Sequence, residues 1–193
     1  MRQREKNNLD HERAVAQELL QKLDITPTDK RHGNPDKGEP DYICTINGKT
    51  VGIEVTTAYY SEEEARTVAE IGEQPLKPNE IAVGEVMGDL DNEICESIQE
   101  RLNEKSAKTY KGVVEVWLCI NVDATVTETD SLEECVKNLE IPANVFKQIY
   151  VSYTKSDNEG GGLGLLSVYG IDTLRCLVLG AVILLLALFS AAV

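Results

Sequence analysis

Asp41 and Glu54 lie in the segment of this chain best suited to chemistry, EPDYICTINGKTVGIEVTTAY over residues 39–59. Asn47-Gly48 separates two alternating apolar runs there, the signature of a two-residue hairpin, because both central positions of its turn need positive φ. With so tight a turn Ile46 faces Lys49, Cys44 faces Val51, and Asp41 falls opposite Glu54. Opposed side chains have Cβ atoms about 4.5–5.5 Å apart, and like charges at that distance destabilise a sheet unless something compensates them. A divalent cation is the usual remedy. Hard carboxylate oxygens suit Mg²⁺ or Mn²⁺, which take one or two protein carboxylates and complete their octahedron with waters and phosphate. The same pattern also describes a solvated hairpin with two acidic residues at its open end.

Other elements must position this pair. Leu9, Ala16, Leu19, Leu20 and Leu23 recur at helical spacing and predict an amphipathic helix over residues 8–23, capped by Asn8 or Asp10 and ending before Pro27. Residues 26–39 hold Pro27, Gly33, Asn34, Pro35 and Gly38 and read as loop. After the hairpin comes the acidic run SEEEAR, then an excursion punctuated by Gly72, Pro75 and Pro78. Ile94, Ile98 and Leu102 predict a second helix over residues 91–108. VVEVWLCINV, residues 113–122, is β-branched and aromatic and predicts a central strand. Ser131 with Glu134 three residues on has capping-box spacing and opens a short helix over residues 131–139. FKQIYVSY, residues 146–153, alternates as a strand, and Gly160 to Gly162 break the chain before the apolar run LGLLSVY. The order implies an α/β fold, a mixed central sheet flanked by helices, with the site at one edge.

Composition bounds the function. A formal charge of −14 over 193 residues argues against a broad basic groove for nucleic acid, while leaving room for a nuclease whose cation supplies positive charge locally. Cys44, Cys95, Cys119, Cys135 and Cys176 are scattered singly and in odd number, which fits reduced thiols in the cytosol better than a disulfide framework or a zinc site. Cys44 and Cys119 sit in apolar runs and read as packing residues. The polar start MRQREKNNLDHER carries no secretory signal, so the expected location is cytoplasmic.

A helix bearing HERAVAQELL, then a loop, PDYIC, a short hairpin, GIEVT and later strands together resemble the PD-(D/E)XK, or restriction-endonuclease-like, nuclease superfamily. The resemblance spans roughly residues 9–153 and rests on short motifs. It implies a restriction-endonuclease-like core over residues 1–170, and metal ligation by Asp41, Glu54 and the backbone carbonyl of Val55. A glutamate on the first helix assists in such proteins, and Glu12 matches that place best, with Glu18 the alternative. The activity implied is divalent-metal-dependent phosphodiester hydrolysis with Mg²⁺ or Mn²⁺, and the partner is nucleic acid, DNA foremost. One departure bears on catalysis: the family's lysine, two residues after the acidic one, is Thr56 here. A threonine hydroxyl carries no charge with which to replace it, although Thr56 shares the Glu54 face by strand alternation and can hydrogen-bond a water. Lys105, Lys108 or Arg101 on the second long helix are the candidates to supply the missing cation. His11 and His32 read as exposed residues, and Tyr59 and Tyr60 as either base-stacking or packing groups.

Residues 176–193, CLVLGAVILLLALFSAAV, are uncharged and as a helix would measure about 27 Å, close to the roughly 30 Å of a hydrocarbon core. Residues 171–193 are therefore expected to form a membrane tail anchor with Arg175 at its cytosolic edge, a buried element or a decayed extension being the alternatives. Two further functional classes compete with the nuclease: a nuclease-like fold that has lost catalysis and serves binding or assembly, and a membrane-targeted interaction protein.

Overall fold

The turn chemistry and apolar periods give the elements, and the computed structural model describes residues 3–59, 90–126, 129–155 and 163–170. Helix α1 spans Gln3–Lys22, followed by strand β1 (Thr28–His32), a single 3₁₀ turn (Pro35–Lys37), and the hairpin strands β2 (Tyr42–Ile46) and β3 (Lys49–Ala58). Helix α2 (Leu90–Ser106), strand β4 (Glu115–Val126), helix α3 (Thr129–Asn138), strand β5 (Phe146–Lys155) and strand β6 (Leu163–Gly170) complete the order. The six strands form one mixed sheet in sequence order. β1, β2 and β3 are antiparallel neighbours, β3, β4 and β5 run parallel, and β6 returns antiparallel.

The sheet separates two apolar layers. Val15, Ala16, Leu19 and Leu20 of α1 pack on Tyr42, Cys44, Val51, Ile53, Val55, Trp117 and Cys119. On the other face Ile94, Ile98 and Leu102 of α2 and Leu132, Cys135 and Val136 of α3 cover Leu118, Ile120, Ile149 and Val151. Both parallel connections, β3 to β4 and β4 to β5, thus carry their helices on one side, as expected of same-handed crossovers between sequential strands. β4 is covered on both faces, which explains why residues 116–120 are all buried and read as an unbroken apolar run.

The hairpin forms as its sequence requires. Asn47 (φ 50°) and Gly48 (φ 77°) both take the left-handed conformation, and Ile46 pairs with Lys49, Cys44 with Val51 and Tyr42 with Ile53. Four expectations need correction. Residues 26–39 are not all loop: β1, TDKRH, is an exposed edge strand with a register break around Asp29. Its charges bury nothing and therefore leave no apolar period, though they suit a sheet edge that must not pair with other chains. Ser131 is not the cap of α3, which begins at Thr129. Cys95 and Cys135 are not free thiols but form a disulfide joining α2 to α3, brought together across 40 residues by helix packing that no local spacing reveals. Cys44 and Cys119 remain buried thiols, pushed up by burial to about 11 and about 12, inert packing groups as expected. The N-terminal helix starts at Gln3 rather than residue 8, extended by Gln, Arg, Glu and Lys, all good helix formers.

No described helix is long and apolar enough to cross a membrane. The expected tail anchor at residues 171–193, the acidic excursion after the hairpin, Tyr60 and the triple glycine at 160–162 lie outside the described residues.

Two glycines let the chain approach the site. A Cβ at Gly52 would stand 2.3 Å from the Pro40 ring and 3.1 Å from Val113, and one at Gly33 would overlap the Pro40 carbonyl. Gly52→Ala is therefore expected to displace the segment bearing Pro40 and Asp41, at a cost of about 1–3 kcal/mol typical of overpacking. Urea unfolding checks this, and an unchanged midpoint would contradict the close packing of Pro40.

Candidate metal centre

β3 alternates its side chains between the two layers, so Val51, Ile53 and Val55 face α1 while Gly52, Glu54 and Thr56 face α2. Glu54 is 4% exposed, a carboxylate between the buried apolar residues Ile53 and Val55. It keeps its charge company: Lys105 Nζ lies 2.8 Å from Glu54 Oε1, and Lys108 Nζ lies 3.9 Å from the same oxygen. Both lysines come from the C-terminal end of α2 and the turn after it. The buried stripe Ile94, Ile98, Leu102 sets that geometry, because Lys105 follows Leu102 by three positions on the edge of the same face. Arg101 does not join them; its Nη1 donates to Glu104 Oε2 at 2.9 Å.

Asp41 sits one residue before β2, one step past the last hairpin pair, Tyr42 with Ile53. Its backbone carbonyl accepts from Gly33 N–H at 2.9 Å, and its side-chain Oδ2 accepts from Val55 N–H at 2.8 Å. The second bond explains why β3 outruns β2 without an orphan donor: Asp41 caps the N–H that a longer β2 would have paired. A strand residue directs N–H and C=O to the same side, so the Val55 carbonyl points toward the space bordered by Asp41.

The electrostatics describe a crowd of acids around one paired cation. Burial and the Glu54 charge push the Asp41 carboxyl up to about 7, with Val55 N–H pulling it down, Glu12 adding to the rise and Lys105 opposing it. Glu12, on α1, is likewise raised, by burial first and then by the Glu54 charge, with Lys105 opposing. Burial pulls Lys105 down, but the charge and hydrogen bond of Glu54 and the charge of Asp41 outweigh it and the ammonium is held above its usual range. Lys105 is thus a cation at neutral pH, not a base.

Asp41, Glu54, Glu12 and Lys105 are therefore electrostatic neighbours, with the Val55 carbonyl and Lys108 beside them and half-buried Thr56 on the Glu54 face. Glu18 is exposed, and its charge bears on the Cys119 thiol. His11 is exposed and His32 ends β1, while the Tyr59 backbone N–H donates to Ser97 Oγ at 3.2 Å. One neighbour escaped sequence reasoning: Tyr110, in the turn after α2, whose phenol is raised by burial and by the Glu54 charge.

Among the described residues no group of three or more His, Cys, Asp or Glu side chains stands ready to hold a metal. The donors that are there still fit Mg²⁺ or Mn²⁺, which need no all-protein cage: the buried Glu54 carboxylate, the half-buried Asp41 carboxylate and the Val55 carbonyl of β3, all hard oxygens. One of those oxygens, Glu54 Oε1, is engaged by Lys105.

The acid crowding has a pH signature. The folded chain holds the Asp41 proton up to about 7 against an ordinary value of 3.8, so between these limits the native state binds more protons than the unfolded one. The contribution of Asp41 to stability is therefore best below that window, declines as pH rises through it, and is level above. Thermal unfolding of the metal-free chain is expected to show this decline relative to an Asp41→Asn variant. Parallel pH profiles for the two would contradict the crowding.

Compared with known protein families, with curated proteins and with solved structures, the chain matches none.

Proposed function

We propose that this chain is a divalent-metal-dependent nuclease that hydrolyses phosphodiester bonds, with DNA as the favoured substrate. The carrying observation is the buried contact of Lys105 Nζ with Glu54 Oε1 at 2.8 Å. It supports the reading because α2 brings to Glu54 a positive charge that Thr56 does not carry. Asp41, Glu54 and the Val55 carbonyl are the groups that would hold Mg²⁺ or Mn²⁺. When bound, such an ion supplies Lewis-acid polarisation of a phosphate oxygen and lowers the pKa of an attacking water. Lys105 neutralises charge that builds on the phosphate as the bond breaks, and its burial strengthens that charge by keeping water from it. Lys108, half exposed, extends that positive charge toward solvent. Thr56 orients a water by hydrogen bonding, and Glu12 provides a further acceptor at the acidic side.

The same ion pair favours a second reading from a different class. A Glu54 permanently engaged by Lys105 would be a structural pair in a nuclease-like fold that binds or assembles without cutting. Plasmid DNA incubated with Mg²⁺ or Mn²⁺ separates the two: the parent chain is expected to nick it, and Asp41→Ala and Glu54→Ala to abolish nicking. Activity that survives both substitutions sinks the site, and an inactive parent favours the binding module.

A further inference from the structure

Tyr110 is held from two sides. Its ring lies tilted at 47° against Phe146, centroids 5.7 Å apart, and the next residue, Lys111, donates its N–H to Gly38 O at 2.9 Å. The second bond ties the turn after α2 to the loop that leads into Pro40 and Asp41. A ring fixed in this way has little freedom to move its hydroxyl, since only two side-chain torsions control it.

The hydroxyl oxygen is buried and makes no hydrogen bond of full geometry among the described residues. The group it faces is Glu54, whose charge and hydrogen-bonding approach, after burial itself, hold the phenol well above the usual tyrosine range. A buried donor without an acceptor forfeits its hydration for nothing in return, and such orphans in folded proteins call for an explanation. Glu54 offers one. A carboxylate has about four lone-pair positions on its two oxygens, and Lys105 occupies one of them.

We propose that Tyr110 is a positioning residue of this site: its hydroxyl donates to Glu54 and keeps that carboxylate in place when Lys105 turns from Glu54 toward a substrate phosphate. The second clause rests on the phosphodiester-hydrolysis reading; the first does not. Lys105 cannot serve Glu54 and a phosphate equally, because one ammonium shared between two anions neutralises neither fully. A carboxylate released by its lysine would swing to another rotamer unless something else held it. Tyr110 does so with a neutral donor, which leaves the full negative charge of Glu54 available to a cation, as a second lysine would not. Lys108, at 3.9 Å and half exposed, is too distant and too hydrated to do the same.

The test uses the full chain labelled with ¹³Cζ tyrosine in mixed H₂O and D₂O, where a hydroxyl that exchanges slowly splits its own ¹³Cζ resonance. Tyr110 is expected to show the split signal in the parent and to lose it in Glu54→Leu combined with Lys105→Met, a pair of changes that removes both partners of the buried ion pair together. Fast exchange in the parent, or splitting that persists in the double variant, overturns the contact. Tyr110→Phe keeps the ring and its packing on Phe146, so its melting temperature should stay near the parent's. Its turnover of plasmid DNA is expected to fall about tenfold with KM unchanged, the size typical of losing a partner that orients a ligand residue. A parent that cuts DNA with a Phe variant that cuts equally well overturns the positioning role while the hydrolysis reading stands. A parent that does not cut sinks the hydrolysis reading, and the exchange measurement then decides Tyr110 alone.

Discussion

Replacing Lys105 with methionine is expected to cost the chain both stability and turnover. Lys105 and Glu54 side chains are only 12% and 6% exposed, so removing the ammonium strands a carboxylate in the interior. Breaking a buried pair from one side typically costs about 3–5 kcal/mol. The lower end, about 3 kcal/mol, is expected here because Lys108 remains within 3.9 Å of the same oxygen. Urea unfolding at neutral pH measures it, and adding Glu54→Leu to the methionine variant should restore most of the loss, since a well-packed apolar pair often matches a buried ionic one. Turnover should drop roughly 10²–10³-fold, the range for removing one preorganised donor from a developing anion. Lys105→Arg is not expected to rescue it, because the planar guanidinium cannot place a single point charge where the ammonium stood. A Met variant as stable as the parent would mean that Glu54 is less dependent on its partner than its burial implies.

Asp41→Ala should separate function from stability in the opposite sense. The substitution removes a candidate carboxylate ligand, and the loss of Mn²⁺ affinity by titration calorimetry should exceed the roughly 10–100-fold seen when only an outer partner is removed. The metal-free fold loses one hydrogen bond, that from Val55 N–H at 2.8 Å, for about 1 kcal/mol. Against that, the variant is relieved of an acid crowded beside Glu54, so above pH 7 its stability should change little. Undiminished Mn²⁺ affinity would remove Asp41 from the candidate centre.

The acidic half of the site was legible because its geometry is local. Asn47-Gly48 fixes the register, the register runs Ile46 with Lys49 back to Tyr42 with Ile53, and Asp41 and Glu54 follow from counting. What counting missed is the finer connection: Asp41 reaches past its opposite number to the Val55 N–H. Lys105 was legible only as one of three cations on or just after α2, and the choice among them needed the tilt of the helix on the sheet. Tyr110 left no trace, since a turn residue belongs to no period. β1 was missed for want of the signal that revealed β4: it buries no apolar side chain, so only its pairing with β2 makes it a strand. The Cys95–Cys135 disulfide is likewise a product of two helices meeting on one sheet face.

The two halves of the candidate site belong to different stages of assembly. The carboxylates come from a hairpin closed by a two-residue turn, a unit that forms in about 1–10 μs, whereas Lys105 is separated from Glu54 by 51 residues and arrives only when the crossover through α2 has docked. A nascent or partly opened chain therefore carries the acids without their counter-charge. In that state the two carboxylates repel each other and loosen the hairpin's open end, and only the docking of α2 brings the lysine that offsets them.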